Sequence, residues 1–213
     1  MLITPEEAAV FLRKAGIEFS GVFHIGAHDC EELSCYEYWG IDPSNVIWID
    51  AIEEKVERAK VNGIPNVYRA VITDKDDGIV VFHESNNVQS SSVLNLKTHL
   101  QEHPTIHYVK EYAVQTVTVD TFFKRNNLDA SKYPIWNIDI QGAELLALRG
   151  GEESLKYARA LYLEVNEKEL YENCALIGEL DSFLFARGFS RVHTKMTHHG
   201  WGDAIYVKTS TSS

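Results

Sequence analysis

Acidic residues stand at the ends of apolar runs in this sequence, and their types and spacing indicate where chemistry could sit. Asp50 closes Val46-Ile47-Trp48-Ile49, Asp139 follows Ile138, and Glu164 and Asn166 close the run that starts at Ala160. An earlier run, Val22-Phe23-His24-Ile25, passes into Gly26-Ala27, a pair small enough to let a ligand approach the backbone. A nucleotide-like ligand and a bare strand-to-helix turn both fit that pair. Asp50 lies about 24 residues beyond Gly26, near the roughly 20-residue spacing at which a carboxylate meets ribose hydroxyls in dinucleotide sites. Asp139, flanked by Ile138 and Ile140, is expected in a strand buried on both faces, where a carboxylate requires a partner. Asp139, Glu164 and Asn166 could together offer oxygen ligands to Mg²⁺ or Mn²⁺, since adjacent strand ends lie about 5 Å apart. Hydrogen bonding to a cofactor or substrate is the equal alternative.

The histidines divide by position. His24 lies inside the first run, as a satisfied core residue or a contact of the turn, and His28 stands just past Gly26 on the ligand side. His198, His199 and Trp201 share a late loop expected at the same rim. A Trp there suits the apolar face of a sugar, or packs the loop down. His83, His99, His103 and His107 show no tight metal-ligand spacing and are expected at the surface.

The elements that must position these residues follow from periodicity. Thr4-Pro5-Glu6-Glu7 opens a helix that Gly16 ends, giving an N-terminal helical segment over residues 1–18. Buried strands at Val22–Ile25, Val46–Asp50 and Val67–Ile72 alternate with helices over Glu31–Trp39 and Glu53–Val61. That alternation predicts a parallel sheet with helices on both faces and ligands at the strands' carboxyl ends. Ile79–His83 is a short strand, and Val114–Val119 alternates like an edge strand before a helix that opens at Asp120. The stretch between, residues 85–112, is long for a loop and reads as an inserted lid or as hidden structure. The pattern resumes with a strand at Ile135–Ile140, a short helix at Leu145–Leu148, a strand at Ala160–Val165 and a helix over Leu176–Arg187. Phe189–His193 and Asp203–Val207 form a closing pair, and Thr209–Ser213 is a polar tail expected to fray. Residues 1–213 read as one domain.

Composition excludes some partners. The net charge of −11 with scattered basic residues disfavours nucleic acid. No segment is long and apolar enough to suggest membrane insertion. Three cysteines without metal spacing or a leading signal segment are expected as free thiols in a reducing, cytoplasmic setting. A homo-oligomer is compatible with all of this.

Several segments occur in a recognisable order: Val22-Phe-His-Ile-Gly-Ala-His28, Val46-Ile-Trp-Ile-Asp50, Ala70-Val71, Ser90-Ser-Ser92, Thr116-Val-Thr-Val-Asp120, Ile138-Asp-Ile-Gln-Gly-Ala-Glu144, Leu161-Tyr-Leu-Glu164, Leu170-Tyr171, Gly188-Phe189 and Trp201-Gly-Asp203. From about Gly21 to Val207 the chain resembles the FkbM family of S-adenosylmethionine-dependent methyltransferases. The resemblance implies an α/β, Rossmann-like class I methyltransferase fold. Its doubly wound seven-stranded sheet has the last strand antiparallel, and the lid-like insertion follows the third strand. It implies methyl transfer to a hydroxyl of a sugar, glycan or glycoside, or of a non-sugar natural product. Gly26, Ala27, His24 and His28 then fall at the cofactor turn, Asp50 and Ala51 at the ribose, and Ala70 and Val71 beside the adenine. Asp139 and Glu144 fall at the rim, with Asp139 also a cofactor contact. Ser91, Ser92, Glu144, Glu164 and Trp201 are the implied acceptor contacts.

A sugar hydroxyl is a weak acid, so a base or a cation near it should assist. Asp139 is the first candidate for base or metal ligand, with His28, His198 and His199 in reserve. The sequence also departs from the family pattern. His24 stands where an acid is common, His28 and Cys30 where Asn and Gly are usual, and Asn137 where a Lys often precedes the Ile-Asp pair. A nicotinamide-dependent sugar oxidoreductase would require a three-glycine fingerprint that this chain lacks. A non-catalytic binding module that keeps the fold is the remaining alternative.

Overall fold

The computed structural model describes residues 1–98 and 105–209. Its centre is a seven-stranded sheet ordered β3-β2-β1-β7-β8-β10-β9. The strands are β1 (Val22–Ile25), β2 (Val46–Asp50), β3 (Val67–Arg69), β7 (Ile135–Ile138), β8 (Ala160–Asn166), β9 (Phe189–Met196) and β10 (Trp201–Lys208). Strands β3, β2, β1, β7 and β8 pair in parallel. β10 runs antiparallel to both β8 and β9. This is the expected α/β fold with an antiparallel last strand. The strand order reverses between β1 and β7, which is where open α/β sheets bind ligands.

The apolar runs are continuous because both faces of the sheet are covered. Phe23, Ile25, Ile47, Ile49, Trp136 and Ile138 enter one core, which also takes residues of α4 (Val119–Arg125), α5 (Glu144–Arg149) and α6 (Ile177–Phe185). Val22, Val46, Trp48 and Ile135 enter the opposite core with α1 (Pro5–Lys14), α2 (Leu33–Tyr38) and α3 (Glu53–Val61). Helix α1 starts where its sequence signals it. Thr4 caps the Glu7 N–H, and the Glu7 carboxylate returns to the Thr4 N–H at 2.9 Å.

A second sheet corrects the reading of the middle. Val67–Ile72 is not one strand. After β3, Ala70 donates to the Asp50 carbonyl, and Val71–Ile72 (β4) leaves the main sheet. β4 pairs in parallel with β6 (Tyr108–Val117), and β5 (Ile79–Ser85) pairs with β6 antiparallel. The expected edge strand is therefore the middle strand of a three-stranded sheet. Its alternation has another cause: one face packs Val71, Phe82, Tyr112 and Val114 together, while Val81 and Val109 face solvent. His83, expected at the surface, is buried and stacked on Tyr108, with its Nδ1 2.7 Å from Glu111.

The segment expected as an insertion is anchored on both sides of residues 99–104, which lie outside the described residues together with His99 and His103. Ser92 bridges His83, and Leu96 bridges Tyr171. Of the expected tail, Thr209 is held by two bonds to the Gly188 carbonyl, and 210–213 are outside the described residues. All three cysteines are free and buried. Among the described residues no helix is long and apolar enough to cross a membrane.

Candidate active site

A cavity of about 500 Å³ opens at the carboxyl ends of β1, β2, β7 and β8 and reaches the second sheet. Gly26 and His28 line it from the β1 turn, Asp50, Ala51 and Ile52 from the β2 turn, and Ala70, Val71 and Ile72 from the chain leaving β3. Asp139, Ile140, Gln141 and Glu164 line the far side, with Tyr171, Trp201 and Asp203. The inserted segment supplies a wall from Asn87 to Val93. Six acidic residues (Glu31, Glu32, Asp50, Asp139, Glu164, Asp203) and no Lys or Arg are among the lining residues.

The turn after β1 is built on Gly26. Its N–H and that of Ala27 both donate to the Ile49 carbonyl. With φ at +93°, and the Asp139 carbonyl oxygen 1.8 Å from where a Cβ would stand, only glycine fits. Ala27 is buried and does not line the cavity. The Asp50 carboxylate sits opposite. Its Oδ2 accepts from the His28 N–H at 2.8 Å and its Oδ1 from the Ile52 N–H at 2.8 Å. Burial raises its pKa, and the two N–H bonds oppose that rise.

Asp139 is not inside a strand. β7 ends at Ile138, and Asp139 is exposed in the cavity mouth, so no internal network is needed to explain it. Its Oδ1 accepts from Gln141 Nε2 at 2.8 Å, and the same nitrogen donates to Glu164. Tyr171 fixes the amide by donating to Gln141 Oε1 at 2.7 Å. Glu164 is 5% exposed, and burial, followed by the Asp139 charge, pushes its pKa well up. Sequence reasoning missed Gln141 and Tyr171, although both lie in the quoted segments. Gln141 adopts φ +56°, a conformation that no spacing signals.

Other expectations are redirected by geometry. Glu144 does not reach the cavity. Its Oε1 accepts from the Ile140 and Gly142 N–H groups at 3.0 and 3.1 Å, so it shapes the loop that carries Asp139. It is 1% exposed, its Oε2 has no partner, and burial pushes its pKa up to about 7. Ser91 and Ser92 line the cavity, but their hydroxyls hold backbone: Ser91 accepts from Ser85 N–H, and Ser92 donates to the Gln141 carbonyl at 2.9 Å. Trp201 reaches the cavity from an apolar cluster with Leu96, Ile106, Leu170 and Tyr171. His198 and His199, whose rings pack 3.7 Å apart, are not among the residues lining it.

His28, a reserve candidate for the base, is engaged on both sides of its ring. Its Nε2 is 2.6 Å from Lys55 Nζ and its Nδ1 2.7 Å from Glu31, so both ring nitrogens are committed. The expected cation ligands Asp139, Glu164 and Asn166 have unlike surroundings. The Gln141 N–H donor lies between Asp139 and Glu164, where a bridging cation would need oxygen, and both polar atoms of Asn166 are enclosed without a partner. The tightest His and acidic grouping among the described residues is His28, Asp29 and Glu31, where Lys55 and Arg58 already pair with Asp29.

His24 is a core residue rather than a cofactor contact. Burial lowers its pKa to about 4, and its neutral ring bonds the Tyr36 hydroxyl at 3.0 Å. Asn137, its register partner on β7, donates to the same hydroxyl at 2.8 Å. The two departures from the family pattern are thus neighbours, and a neutral network stands where an acid and a lysine are usual. His28 and Cys30 both have positive φ (+44° and +57°), which explains the usual Asn and Gly there.

The sheet order, the antiparallel β10 and a cavity at the switch point define a class I methyltransferase fold. The family model for the methyltransferase FkbM domain matches residues 24–191, and the chain belongs to that family. A curated relative, the 2-O-methyltransferase NoeI of Sinorhizobium fredii (strain NBRC 101917 / NGR234), is 30% identical over 136 residues. The match covers 59% of this chain and 55% of NoeI, so the chain spans about half the length of that relative. Among solved structures, a SAM dependent methyltransferase from Aquifex aeolicus is 14% identical, with 98% of this chain and 91% of that one covered and a TM-score of 0.48. Magnesium protoporphyrin IX methyltransferase from Synechocystis PCC 6803, with bound SAM, is also 14% identical, with 96% and 78% covered and a TM-score of 0.46.

Proposed function

We propose that this chain is an S-adenosylmethionine-dependent O-methyltransferase that methylates a hydroxyl of a sugar or glycan. The observation that carries the cofactor reading is Asp50. Its two oxygens are fixed by backbone N–H groups, and each keeps capacity to accept from a ribose hydroxyl. Beside it, Ala51, Ile52, Val71, Ile72 and Phe82 offer an apolar slot suited to adenine. The acidic lining, without Lys or Arg, favours a cationic sulfonium.

When bound, the cofactor supplies an electrophilic methyl group on sulfur. The chain's part is to align an acceptor oxygen and manage its proton. Asp139, open to the cavity and held by Gln141, is the group for that proton. Glu164 shares the Gln141 amide with it, and Tyr171 keeps that amide in place. Trp201 offers a flat apolar face to a sugar ring at the same end. The relative NoeI, a 2-O-methyltransferase, supports an oxygen acceptor.

Calorimetry tests the cofactor half. S-adenosylmethionine should bind wild type, and Asp50→Ala should weaken binding by about tenfold or more. No binding at millimolar cofactor sinks the reading. Labelled methyl transfer to a panel of sugars and glycosides tests the acceptor half, and transfer only to nitrogen or carbon acceptors would refute it.

A further inference from the structure

Lys55 is an unusual residue for the inner side of α3. It is 8% exposed, and its ammonium is not directed at solvent. Nζ lies 2.6 Å from His28 Nε2 and 2.7 Å from Asp29 Oδ2. His28 Nδ1 lies 2.7 Å from Glu31, and Arg58, one turn further along α3, pairs with Asp29. Nε2 thus faces the Lys55 ammonium and Nδ1 faces Glu31, so both sides of the ring are held. These contacts tie the turn after β1 to the helix after β2.

The tie matters because of what the His28 backbone does. Its N–H is one of two that hold the Asp50 carboxylate. The same residue sits at φ +44°, a conformation that costs a non-glycine residue energy and persists only where surroundings impose it. The Lys55 and Glu31 contacts to the ring are those surroundings. Without them His28 can relax to negative φ, which turns its N–H away from Asp50. One oxygen of Asp50 then loses its anchor, and the carboxylate is free to rotate.

We propose that Lys55 and His28 form a positioning device: Lys55, through the His28 ring, holds the turn whose N–H aims Asp50 at the cofactor's ribose hydroxyls. Neither side chain takes part in methyl transfer. The proposal rests on the cofactor reading above and assigns two further residues to it.

The test is binding, read with two ligands. S-adenosylhomocysteine carries both ribose hydroxyls, and its 2′,3′-dideoxy counterpart carries neither. Wild type should prefer the first by about a hundredfold, the worth of two charge-assisted bonds. Lys55→Met keeps the buried stem and removes the ammonium. His28→Leu removes both ring nitrogens and has no preference of its own for positive φ. Each should weaken S-adenosylhomocysteine about tenfold and leave the dideoxy ligand nearly unchanged, so that the preference shrinks to about tenfold. The double variant should lose no more than either single one, and Lys55→Arg should retain the preference. If both ligands weaken equally, Lys55 and His28 merely support the fold, and the proposal is overturned. Unchanged affinities in both variants overturn it as well. Wild type that binds neither ligand refutes the cofactor reading itself, a result distinguishable from the other two.

Discussion

Glu144 gives a quantitative test of how the Asp139 loop is built. The carboxyl is 1% exposed, and its pKa rises from 4.5 to about 7, chiefly through burial and despite the N–H bonds it accepts. Because the folded value lies above the unfolded one, the folded state holds a proton that the unfolded state has released. Glu144 therefore costs nothing below about pH 4.5 and removes stability progressively as pH rises through 7. At about 1.4 kcal/mol per pKa unit the whole effect is about 3 kcal/mol. Glu144→Gln keeps an oxygen for the Ile140 and Gly142 N–H groups and cannot ionise. Its new amide hydrogens meet the place where Oε2 has no partner, which costs about 1–3 kcal/mol at every pH. The prediction thus lies in the change of the gap between the two proteins. Urea unfolding at a series of pH values should show the variant gaining about 3 kcal/mol on wild type between pH 4 and pH 8. In thermal melts this is about 6–12 °C for a chain of this size. Stability curves that stay parallel across that range would show that Glu144 is ionised at no cost, and the account of the loop would fail.

Two further substitutions probe the same rim. Gly26→Ala should destabilise the protein by more than about 2 kcal/mol, since its Cβ would meet the Asp139 carbonyl oxygen at 1.8 Å on a backbone at φ +93°; a urea midpoint within about 0.2 M of wild type, worth at most about 0.6 kcal/mol at the usual slopes, would contradict it. Asp139→Asn should lower methyl transfer about 100-fold or more while S-adenosylmethionine binding, measured by calorimetry, changes little; an equal loss in binding would make Asp139 a cofactor contact and not the proton acceptor.

Much of this fold was legible in the chain. Continuous apolar runs at Val22, Val46, Ile135 and Ala160, separated by helical periods, require a parallel sheet covered on both faces. Strand ends and a Gly-Ala turn then place Gly26, Asp50, Asp139 and Glu164 on one rim. The second sheet was hidden because Val67–Ile72 is apolar at every position but Arg69, and nothing local marks Ala70 as the point where the chain changes sheet. The partners of the long segment after Ser85 were hidden for the same reason: its bonds, Ser92 to His83 and Leu96 to Tyr171, join residues far apart in sequence or on separate elements.

Sequence by itself determined which residues could meet: local propensity and burial pattern fix the strands, and the strands fix their ends. Direction and partnership were decided only in three dimensions. His24 and His28 stand four residues apart, yet one ring enters the core against Tyr36 and the other faces Lys55 across the turn. Glu144 follows Asp139 by five residues, yet a reversed loop turns its carboxyl back onto the backbone and leaves Asp139 open. The physical reason is that hydrogen bonding is directional and long range in sequence, whereas apolar burial is neither directional nor partner-specific. The rim was therefore readable from the chain, and the roles of the groups upon it were not.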